Sequence, residues 1–88
     1  MKDLHAFGDQ VAGIAIRAAQ EYLRQHSLTV DPKALSQALR EQCKIRLPEA
    51  MQDAREAMDA HMPQQAELTL RLSMAQAGIE AARQACGR

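Results

Sequence analysis

Aromatic residues are nearly missing from this chain: Phe7 and Tyr22 make up 2% of it, and there is no tryptophan. Sheet-forming residues are as scarce, with Val11 and Val30 the only valines and Thr29 and Thr69 the only threonines. A β-sheet therefore has little to be built from. Net charge is also lacking, because eleven basic and eleven acidic side chains cancel. No overall field draws the chain to nucleic acid or to an anionic membrane. The longest uncharged apolar run, Val11 to Ile16, is six residues, against about twenty needed to cross a bilayer. Asp3 and Asp9 interrupt the N-terminal stretch, so no secretion signal is visible and the expected location is the cytoplasm.

Chemistry-bearing motifs are missing too. Cys43 and Cys86 lie far apart with no CxxC spacing, which reads as two reduced structural thiols. The three histidines show no His-x-x-x-His, His-Glu-x-x-His or Glu-x-x-His spacing, so the usual helical metal sites are excluded. Met58, His61 and Met62 could offer soft ligands to copper(I), but methionines at helical spacing serve first as flexible core filler. Ser27, Ser36 and Ser73 have no nucleophile elbow, and no glycine-rich phosphate loop exists. Cys43 lies among Arg40, Lys44 and Arg46, a setting that lowers a thiol pKa, yet its helical register points it inward. Arg71 is the one arginine placed to line an interior pocket. These groups do not converge, so no catalytic residues, metal or cofactor are assigned.

What the chain has is helix-forming material, with 17 alanines and 10 glutamines among 88 residues. The expectation is an all-α fold: a single domain, 1–88, forming a small bundle of four helices, two long and two short, that dimerisation can complete. Helix one is predicted from about Leu4 to His26. Asp31-Pro32 pairs an N-cap aspartate with proline at the first helical position, and the second helix follows to about Arg46. Pro48 and Pro63 each disfavour helical geometry at the preceding residue. Helix three is thus expected from Pro48 to His61 and helix four from Gln64 to Ala85, ended by Gly87.

Apolar periodicity then assigns faces. Leu68, Leu72, Ala75, Ile79, Ala82 and Cys86 alternate spacings of four and three, the period of a packed helix seam. Leu70, Met74, Ala77 and Ala81 form a second row on the same helix, well over a right angle away. The first row is expected to face the core, which leaves the second as the candidate protein interface. Gly8, Ala12, Ala15 and Ala19 form a strip of small residues on helix one, suited to close backbone approach. The apolar content is lean for the chain length, which favours association.

The functional expectation is a non-catalytic protein–protein interaction module: an adaptor, chaperone, regulator or inhibitor with a protein partner and a tendency to form homodimers. The alternative is a small DNA- or RNA-binding regulator using Lys33, Arg40, Lys44 and Arg46 on helix two. The acidic residues Glu49, Asp53, Glu56 and Asp59 argue against a recognition helix following at Pro48. A third reading is a small all-α enzyme built as an intertwined dimer.

Overall fold

The computed structural model describes the backbone of residues 2–87 and the side chains of residues 13–87. These residues form three helices and no strand: α1 (Lys2–Gln25), α2 (Pro32–Asp59) and α3 (Pro63–Cys86). None is long and apolar enough to cross a membrane. The second and third predicted helices are one, because α2 runs through Pro48 without a break.

Local chemistry accounts for the ends. Asp31 is extended and its side chain accepts a hydrogen bond from the Ala34 N–H at 3.3 Å, with Pro32 behind it at the first helical position. Pro63 opens α3 in the same way, although Met62 supplies no side-chain cap. Both α1 and α2 finish in a Schellman turn. The Leu28 N–H donates to the Leu23 carbonyl and the Ser27 N–H to Arg24. Met62 donates to Ala57 and His61 to Met58 in the same pattern. The left-handed position in each is occupied by a non-glycine residue, Ser27 at φ 52° and His61 at φ 60°. Left-handed backbone costs an L-residue about 1 kcal/mol. His61→Gly is therefore expected to raise stability by about 1 kcal/mol, read as a higher urea midpoint.

The helix α3 is central. Both α1 and α2 pack along it, while α1 and α2 barely touch each other. The assembly measures 42 × 23 × 18 Å. Among the described residues the core is mostly alanine: Ala15 and Ala19 from α1, Ala38, Ala50 and Ala54 from α2, and Ala66, Ala77, Ala81 and Ala82 from α3. Leu70 and Met74 are the only large apolar side chains buried among those described, and Met74 alone is fully buried. Small residues let the helix backbones approach. At Gly78 the approach is closest, since an added Cβ would overlap the Ala15 carbonyl oxygen and lie 2.9 Å from its carbon. The small strip expected on α1 thus does meet another helix at Ala15 and Ala19; Gly8 and Ala12 lie outside the described side chains. Gly78→Ala should gain about 1 kcal/mol of helix propensity but force the helices apart at a backbone atom. We expect a net loss of about 2 kcal/mol in a urea titration.

Candidate interaction surface

The two apolar rows of α3 are inverted relative to expectation. Leu70, Met74, Ala77 and Ala81, the row assigned to a partner, are 4%, 0%, 0% and 0% exposed and form the chain's own core. This corrects the sequence-based interface. The reason is steric: that row neighbours Ala66, Gly78 and Ala82, so it presents the low-profile surface on which two helices can lie. The expected seam faces outward instead, with Leu68, Leu72 and Ile79 exposed at 53%, 61% and 37%. Ala75 is half-buried between them and Cys86 is exposed at the far end; Ala82 is the one member of the row that turns into the core.

The residues Leu68, Leu72, Ala75 and Ile79 lie within an arc of about 60° at 100° per residue. The stripe is uncharged along its length. Charges beside it are neutralised within α3, where Arg71 reaches Glu67 at 2.8 Å and Arg83 approaches Glu80 at 3.6 Å. Arg71 is consequently an exposed, paired residue and lines no interior pocket, contrary to expectation. At the hairpin end, an apolar groove of about 370 Å³ opens between α2 and α3, floored by Ala54 and Ala66 and walled by Met51, Met58 and Leu70.

The other candidates sort as follows. Lys33, Arg40 and Lys44 are all exposed, and by helical register they share one face of α2. Arg46 does not join them: it lies well over a right angle away, half-buried, with its Nε donating to the Gln42 Oε1 at 3.5 Å. Gln42 is the one buried polar residue of the described core, and sequence reasoning missed it. Because α2 is continuous, the basic residues and Glu49, Asp53, Glu56 and Asp59 occupy a single rod with no turn between them. Met58, His61 and Met62 are exposed at the α2–α3 turn. Cys43 is half-buried beside α1, and burial pushes its thiol pKa up, so its basic neighbours do not activate it. Exposed Cys86 should react first with a thiol reagent and Cys43 markedly later, as followed by mass spectrometry; equal rates would contradict this packing.

Comparison with family models, with curated proteins and with solved structures finds no match.

Proposed function

We propose that this protein is a non-catalytic interaction module whose docking face is the outward stripe of α3. The observation that carries the reading is the placement of large apolar side chains. Leu68, Leu72 and Ile79 stand in solvent at heptad spacing, while the buried residues among those described are mostly alanine. Exposing such side chains together is unfavourable unless something covers them. An uncharged stripe one helix wide, with a period of four and three, fits an amphipathic helix of a partner protein.

Leu72→Glu tests it. Leu72 supports no core contact that its removal would empty, so thermal unfolding should shift by no more than about 0.5 kcal/mol. Proteins captured by the immobilised parent chain from its native host should be lost with Leu72→Glu and kept with the control Gln76→Glu. Identical captured species on parent and Leu72→Glu would remove α3 from the docking face.

A further inference from the structure

Two helices that each pack along a third without packing on each other stand at opposite corners of a square. That is the arrangement here, since α1 and α2 both lie on α3 and barely touch. On α3 the close contact with α1 is at Gly78, and the contact with α2 includes Ala66 and Leu70. At 100° per residue these positions lie about a right angle apart. No helix of the described chain fills the fourth corner, the one that faces both α1 and α2.

The walls of that corner are largely apolar. Ala15 and Ile16 of α1 and Leu39 and Cys43 of α2 line a groove of about 290 Å³. The hairpin-end groove of about 370 Å³ continues along the same side of α2, through Met51, Ala54 and Met58. Half-buried Leu47 lies between the two by register. From Ser36 to Met58 the trough follows α2 for about 33 Å, the length of a helix of about 22 residues.

The outer edge of the trough is basic. Lys33, Arg40, Lys44 and Arg55 fall within an arc of about 60° on α2, and Arg40 and Arg55 themselves line the two grooves. Glu49, Asp53 and Glu56 lie at least about 100° from these bases, while Glu41 and Asp59 lie beyond them on the side away from the trough. Among the described residues the ion pairs are Glu21–Arg24, Glu67–Arg71 and Glu80–Arg83, none of them on α2. Glu67, the acid lining the hairpin-end groove, is thus taken up by Arg71 and leaves Arg55 uncompensated.

From this juxtaposition we infer that the open corner receives an acidic amphipathic helix of a partner protein, completing a four-helix bundle. The apolar face of that helix enters the trough, and carboxylates along one edge meet Arg40, Lys44 and Arg55. The unpaired bases select an acidic occupant. The apolar walls select a helix over a nucleic-acid backbone, which binds through its phosphates and has no apolar face to bury there. On α3 the exposed stripe points well over a right angle away from this corner, so the two surfaces are separate.

Fluorescence anisotropy with two labelled helical peptides tests the inference. Both carry leucine along one face; one places glutamate beside that face and the other lysine. The parent should bind the glutamate peptide, less tightly as salt is raised, and should bind the lysine peptide at least about tenfold more weakly. The triple variant Arg40→Glu, Lys44→Glu, Arg55→Glu should reverse that preference, with helicity checked by circular dichroism. Arg40→Glu alone should shift it in the same direction. Ile16→Gln should weaken binding of the glutamate peptide, and Leu72→Gln should not. No binding of the glutamate peptide, equal affinity for the two peptides, or binding lost with Leu72→Gln and kept with Ile16→Gln would each overturn the inference. A DNA duplex that displaces the glutamate peptide at equal concentration would overturn it too, assigning the basic edge to nucleic acid.

Discussion

Met74→Glu should abolish cooperative folding at neutral pH. Among the described residues Met74 is the one large side chain with no solvent exposure. Removing it forfeits about 2 kcal/mol of apolar burial, and an unpaired carboxylate in its place costs several kcal/mol more. A chain of this length has roughly 4–13 kcal/mol of stability in total. Helical circular dichroism at 25 °C and pH 7 should therefore collapse. Burial would raise the pKa of the new carboxyl in the folded state. The folded form then binds the proton more tightly than the unfolded one, so stability is greatest at acid pH and falls as pH rises. Partial refolding near pH 4 is the expected signature. Met74→Leu, which nearly conserves volume, should cost under about 1.5 kcal/mol. A Met74→Glu variant that melts like the parent would show that α3 packs by its other face.

The second large effect runs in the opposite direction. Pro48 lies inside α2, where it cannot donate to the Lys44 carbonyl and its ring crowds that group. The helix persists because its C-terminal half is held from outside: Ala50 and Ala54 pack on Ala66 and Leu70 of α3, with Met51 and Ala57 alongside. Pro48→Ala should then stabilise the protein by about 3 kcal/mol, on the order of 15 °C in thermal midpoint for a domain this size. Pro48 is exposed, so its removal opens no cavity. A lower midpoint would mean that the helix needs a proline-shaped bend to reach α3.

These two positions mark where the sequence was and was not legible. Asp31-Pro32, Pro63 and Gly87 announced helix boundaries correctly, because a cap is settled within one turn of chain. Pro48 carries the same local signal as Pro63, yet only one of them ends a helix. The difference lies in α3, folded back against residues 50–57 and supplying apolar contact that outweighs the missing hydrogen bond. The α3 rows show the same limit. Both are apolar at helical spacing, and a period reports that a face exists without saying which face turns inward. A usable signal was present: the small strip at Ala15 and Ala19 calls for an equally low surface opposite, and Ala77, Gly78 and Ala81 provide it, whereas Leu68 and Leu72 do not.

By itself the sequence determined that the described chain is helical and where α2 and α3 begin, since propensity and capping act between residues at most four apart. The tertiary structure decided that Pro48 lies within a helix, that Leu70 and Met74 form the core, and that Leu68, Leu72 and Ile79 face solvent. Those outcomes depend on how closely three backbones can approach, a property of surfaces brought together from distant parts of the chain.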